Sequence, residues 1–163
     1  MACNTRCYSG PYYPCPTFFN ACGCDCSPNS VINPPITNVS FAFATLSGDV
    51  NVLNGETVPL LITNSNGTSI TMPVLGDIVL NPGTYIVNYN LRTSTENNED
   101  LDFALYLDGA IIPTSESSID GTLSEGMLSN QVIITVTQNS TLTLLNVGNN
   151  AILSNGNISV TKI

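Results

Sequence analysis

Histidine and tryptophan do not occur in this chain of 163 residues, and its only cations are Arg6, Arg92 and Lys162. Without an imidazole, neither a Ser–His nor a Cys–His nucleophile can be assembled. Three cations cannot neutralise a run of phosphates, and the net charge is −9. Nucleic acid and anionic membrane surfaces are therefore not expected as partners. No apolar run approaches the ~20 residues of a membrane-spanning helix. The opening MACNTRCYSG lacks the basic-then-apolar order of a Sec-type signal peptide. An extracellular location would then follow from lysis of the producing cell. Charge of either sign is scarce, at 9% of residues. Asn, Thr, Ser and aliphatic side chains take its place. Such a surface forms hydrogen bonds but repels weakly, which suits a chain that assembles.

Cysteine is missing after position 26. All six, Cys3, Cys7, Cys15, Cys22, Cys24 and Cys26, lie in the opening segment, so the rest of the chain must fold on its own core. Residues 1–35 also hold six of the ten prolines and five of the eleven aromatics: Tyr8, Tyr12, Tyr13, Phe18 and Phe19. In GPYYPCPTFF the prolines remove donors and hold their predecessors extended, so no helix forms there. This segment reads as an extended connector. Its aromatics are candidates for docking on another surface, because a Pro-rich chain loses little entropy when bound. The alternative is a disordered leader. SPNSVINPP closes the segment as a linker.

Cys22, Cys24 and Cys26 alternate along an extended chain and point to one side. Disulfide geometry disfavours a bridge within a Cys-X-Cys pair. Cross-links to a cysteine on another strand or chain fit better, given an oxidising environment. Free thiols and an all-thiolate metal site remain as alternatives, although the spacing does not form two CxxC knuckles.

From Ile36 the pattern becomes short strands separated by Asn, Gly and Pro turns. The expected strands are 36–45, 56–63, 68–75, 77–80, 84–93, 101–109, AIIP, 131–138, 140–148 and 156–163. In TYIVNYNLRT, Tyr85, Val87, Tyr89 and Leu91 face one way; Asn88, Asn90 and Arg92 face the other. LDFALYLDG places Leu101, Phe103, Leu105 and Leu107 on one face. About eight to ten antiparallel strands without a helical period predict an all-β sandwich or jelly roll over 36–163. QVIITVTQ carries aliphatics on both faces, Val132, Ile134 and Val136 against Ile133. These four are the candidate subunit interface, since a sandwich strand normally keeps one face wet. The closing strand is expected to be tucked into a sheet or an interface.

Other clusters read more plainly. Glu96, Glu99, Asp100 and Asp102 in STENNEDLD could bind calcium, but a solvated acidic loop is the simpler reading. Asp108 with Glu116 has no spacing that marks a catalytic pair. Asn-X-Ser/Thr triplets at Asn38, Asn66, Asn139 and Asn157 arise by chance in so Asn- and Thr-rich a chain. No enzyme, cofactor or resident metal is expected.

LNPGTYIVNYNL, FALYLDGAIIPTSES, SNQVIITVTQNSTLTLLN and the terminal ISVTKI, taken in order, resemble the C-terminal domain of BclA-type exosporium glycoproteins of Bacillus spores. The resemblance covers residues 36–163. It implies a trimeric TNF-like, complement-like jelly-roll head. The first 35 residues depart from that family, having no Gly-X-Y repeat. A Cys- and Pro-containing connector before a jelly roll is instead similar to subunits of endospore appendages, the Ena fibres, with the F-type the best fit. The resemblance implies a structural subunit at the spore surface. Its partners would be other copies of itself, first as a homotrimer and then as a filament, with a spore-surface anchor and a BclA-like tip protein. A trimeric adhesive or receptor-binding exosporium head is the alternative.

Overall fold

The computed structural model describes residues 39–95, 99–122 and 125–163. The six cysteines and Tyr8, Tyr12, Tyr13, Phe18 and Phe19 lie outside the described residues, as does Glu96 of the acidic loop. Twelve strands follow one another among the described residues. They are β1 (Phe41–Thr45), β2 (Val50–Val52), β3 (Leu61–Asn66), β4 (Ile70–Val74), β5 (Asp77–Leu80), β6 (Gly83–Ser94) and β7 (Leu101–Leu107). Then come β8 (Ala110–Ile111), a single 3-10 turn at Pro113–Ser115, β9 (Ser117–Ile119), β10 (Glu125–Val136), β11 (Ser140–Asn146) and β12 (Ala151–Lys162).

Two antiparallel sheets form. One has the order β10-β6-β12-β1-β3, with β2 beside β12; the other has the order β4-β5-β11-β7-β8, with β9 beside β7. Alternation decides which side chains meet between them. Tyr85, Val87, Tyr89 and Leu91 of β6 are fully buried, as are Leu101, Phe103 and Leu105 of β7 and Leu142 of β11. Leu107 is only partly buried against this core.

Several expected strands shift. β10 starts at Glu125 rather than 131, because it pairs with the whole length of β6, from Glu125 opposite Ser94 to Val136 opposite Gly83. The run 56–63 becomes a strand only from Leu61. Pro59 cannot donate to a ladder, and the stretch before it makes a single bridge, Thr57 to Leu145. β12 begins at Ala151 and takes up Ser154 as the extra residue of a bulge between Leu153 and Asn155. A Cβ at Gly156 would lie 2.8 Å from Leu91 Cδ2 and 2.9 Å from Leu46 Cδ1, so those side chains would have to shift to admit one.

Three polar side chains hold the interior, and sequence reasoning singled out none of them for this role. The Tyr89 hydroxyl donates to the Ser115 carbonyl at 2.6 Å, with the Phe103 carbonyl at 3.1 Å. Ser115 Oγ accepts from the Leu105 amide at 2.8 Å and donates to the Ile112 carbonyl at 2.6 Å. Asn146 Nδ2 donates to the Val52 and Asn149 carbonyls, and its Oδ1 accepts from the Gly148 amide. Each adds a side-chain hydrogen bond to a backbone group in or beside the core.

Burial pushes the Tyr89 phenol above its ordinary value, and the charge of Glu116 adds to the rise. A raised folded-state value means that the phenolate is disfavoured in the fold. This contribution to stability is complete below the unfolded value of about 10 and is lost as pH climbs through the folded one. Thermal unfolding midpoints should therefore hold up to about pH 10 and fall as pH climbs from there through the folded-state value, in step with the rise of tyrosinate absorbance. Tyr89→Phe should lower the midpoint at neutral pH and shrink the alkaline fall. An unchanged alkaline fall in that variant would remove Tyr89 as its source.

The two ends of the sandwich differ. At one end lie Val39, the Gly67–Ser69 bend, Pro82 and Ile163. Lys162 N donates to Ser40 O at 2.8 Å, Ile163 N to Thr84 O at 2.9 Å, and Lys162 Nζ to Pro82 O at 2.8 Å. The described residues begin at this end, with Val39. The far end, roughly 37 Å away along the twelve residues of β6, carries the loops after β1, β6 and β11.

Candidate assembly face

The outer face of the β10-β6-β12-β1-β3 sheet is built by the residues that alternate with the core set. Register places them in rows across four strands. Ile133, Ile86, Thr161 and Phe41 form one row; Gln131, Asn88, Ser159 and Phe43 form the next; Ser129, Asn90, Asn157 and Thr45 form the third. Apart from Arg92 and Glu125, which pair at 3.6 Å toward the far end, these rows and their continuation hold no charge.

Polar groups on this face bond to each other. Asn88 Nδ2 donates to Ser159 Oγ at 3.3 Å, Asn90 Nδ2 lies 3.4 Å from Asn157 Oδ1, and the Thr84 and Thr135 hydroxyls meet at 3.1 Å. Polar groups that already have partners lose less when water is removed. Large apolar side chains stand among them. Ile133 is 65% exposed and Phe43 37%, and Met127 is more open still.

The structure divides the four candidate interface residues. Val132, Ile134 and Val136 are each under 10% exposed and belong to the body's own core. Only Ile133 points outward. The correction follows from the period-2 pleat: Val132 sits opposite Val87, a core residue, so its odd-numbered neighbours must face the other way. Phe41, Phe43 and Met127 were not singled out in the sequence. Alternation in FAFAT could have found the two Phe residues, because Ala42 and Ala44 are the buried set.

With this geometry in view, the known proteins are informative. No family model matches the chain, and no curated protein sequence matches it. Solved structures do. Murine APRIL superposes with a TM-score of 0.64 at 10% identity, covering 77% of this chain and 99% of that one. An Eiger TNF from S. frugiperda gives 0.61 at 12% identity, over 77% of this chain and 91% of that one. The globular domain of a zebrafish complement 1qA protein gives 0.58 at 8% identity, over 74% and 94%. The body is a TNF-like jelly roll. At these identities the likeness is one of fold.

The remaining candidates fall elsewhere. Asp100 Oδ1 accepts from the Gly121 amide at 2.7 Å, and among the described residues no three acidic side chains are grouped to hold a metal. Asp108 Oδ1 accepts from the Thr141 amide at 2.7 Å in a turn where Asp108 itself has a φ of 50°. Glu116 is exposed. A shallow cleft at the far end is lined by Asn51, Leu53, Thr95, Glu99, Asn150 and Ile152.

Proposed function

We propose that the protein is a non-enzymatic structural subunit of a self-assembling bacterial spore-surface fibre, an endospore appendage of the F-type. Its jelly-roll bodies join in threes through the outer face of the β10-β6-β12-β1-β3 sheet. The N-terminal connector links one trimer to the next, and its cysteines lock the joint. The observation that carries the reading is that face: broad, nearly free of charge, hydrogen-bonded within itself and set with exposed Ile133 and Phe43. A surface of this kind resembles an interface core more than a wet sheet face, because charge is depleted where a partner will exclude water. The connector reading rests on its sequence and on the resemblance stated above.

Electron microscopy and sedimentation of the purified full chain test the proposal together. Long filaments under the microscope, with trimers as the smallest species in sedimentation, are the expected result. Discrete trimers at every concentration would favour the adhesive-head reading. Monomers at micromolar concentration would overturn both.

A further inference from the structure

Three Asn–Gly pairs stand among the described residues: Asn54–Gly55, Asn66–Gly67 and Asn155–Gly156. Asparagine followed by glycine is the pair most open to self-modification, because glycine has no Cβ to hinder attack by its own amide nitrogen. Whether attack happens depends on the fold. The Gly55 amide donates to Asn146 O at 2.7 Å, and the Asn54 side chain is tied to the Val147 and Gly148 carbonyls. Gly156 is buried inside β12, with its carbonyl held by the Leu46 amide at 2.9 Å. Both pairs would have to open locally before the backbone could bend toward the side chain.

Asn66–Gly67 is different. Asn66 ends β3 opposite Phe41 and its side chain makes one exposed contact, to the Val39 carbonyl, so the contrast lies in Gly67, which begins an irregular bend; both residues are exposed. Among the described residues the Gly67 amide has no hydrogen-bond partner. Its φ of 79° places it outside the strand ladder.

We propose that Asn66–Gly67 is a deamidation site that ages the Val39 end of the body. The Gly67 nitrogen bonds to Asn66 Cγ, the Cγ–Nδ2 bond breaks, and Nδ2 leaves as ammonia, taking up the proton that the Gly67 amide gives to solvent. Water then opens the resulting succinimide. Opening on the Cγ side gives aspartate; opening on the backbone carbonyl side gives isoaspartate. The consequence lies in what Asn66 holds. Its Nδ2 donates to the Val39 carbonyl at 3.1 Å, where the described chain begins. A carboxylate cannot donate, and two acceptors would then face each other. Isoaspartate also lengthens the backbone beside Ser40, where Gly67 is already so close that a Cβ would collide with Ser40 Oγ. The product therefore carries one more negative charge and a loosened root for the N-terminal segment.

Incubation of the full chain at mildly alkaline pH, followed by peptide mapping and enzymatic isoaspartate labelling, tests this. Conversion at Asn66 should run about tenfold or more ahead of Asn54 and Asn155, the factor that even a small local-opening free energy supplies. Asn66→Gln should abolish the fast phase, since its longer side chain closes a ring poorly. Asn66→Asp should increase proteolytic cleavage just before β1 in the folded protein. Equal rates at the three sites, a faster site elsewhere, or an Asn66→Asp chain as resistant as the parent would overturn the proposal.

Discussion

Ile134→Asp abolishes cooperative unfolding of the body, whereas Ile133→Asp leaves it folded and converts trimers to monomers. That is the expected contrast between two adjacent aliphatic residues. Ile134 is 7% exposed and packs into the core, so a carboxylate there is buried without a cation or donor to meet it. The described body has two cations, Arg92 and Lys162; one pairs with Glu125 and the other is held at Pro82. An uncompensated buried charge costs at least ~3 kcal/mol, a large share of the ~5–15 kcal/mol that holds a domain together. Ile133 stands on the opposite face, and a surface change there shifts stability by about 0.5 kcal/mol. Its effect should appear in sedimentation, where three copies of one charge would be brought together at the interface. Circular dichroism melts separate the two outcomes. A trimeric Ile133→Asp protein would mean that this sheet face is not the contact.

Removal of residues 1–26 should leave trimers intact and abolish filaments. The described residues hold a core of their own and two six-stranded sheets. Filaments that persist without the segment would show that bodies stack directly, and the docking role of Tyr8, Tyr12, Tyr13, Phe18 and Phe19 would fall. Replacing all six cysteines by serine should act differently: filaments should still form but lose their resistance to heat, denaturant and boiling detergent. A covalent link turns departure of a neighbour into a local opening at high effective concentration, which can raise avidity by about 10²–10⁴. Native fibres should stay near the well on a non-reducing gel and collapse to the monomer band with reductant. Differential alkylation should find at least one of Cys22, Cys24 and Cys26 joined to Cys3, Cys7 or Cys15 of another chain. Monomers without reductant would return the thiols to the free or metal-bound alternatives.

Much of the sandwich can be read along the chain because its signals are local. β5 appears within its expected bounds, and β6 misses by one residue at each end, since the NPG turn and the Tyr85–Leu91 alternation act over neighbouring residues. β2 is only three residues long and exists because β12 offers it a partner. The first half of β10, EGMLSN, looks like loop sequence and becomes strand because β6 is long enough to template it.

The candidate face shows the same divide. Alternation placed Asn88, Asn90 and Arg92 of β6 on one side correctly. In QVIITV it could not say which aliphatic set was inside, because both sets are apolar and a pleat specifies alternation without direction. Pairing with Val87 resolves it. The contacts of Asn146 with Val52, and of Tyr89 with Ser115, join residues 94 and 26 positions apart, beyond the reach of any local pattern. Composition and period thus settled the class of fold, the cysteine-free body and most strand positions, since these depend on what each residue does beside its immediate neighbours. Sheet order, register and the outward turn of Ile133 waited for tertiary packing. Backbone ladders are chemically alike from strand to strand, and the burial of distant side chains against each other selects among them.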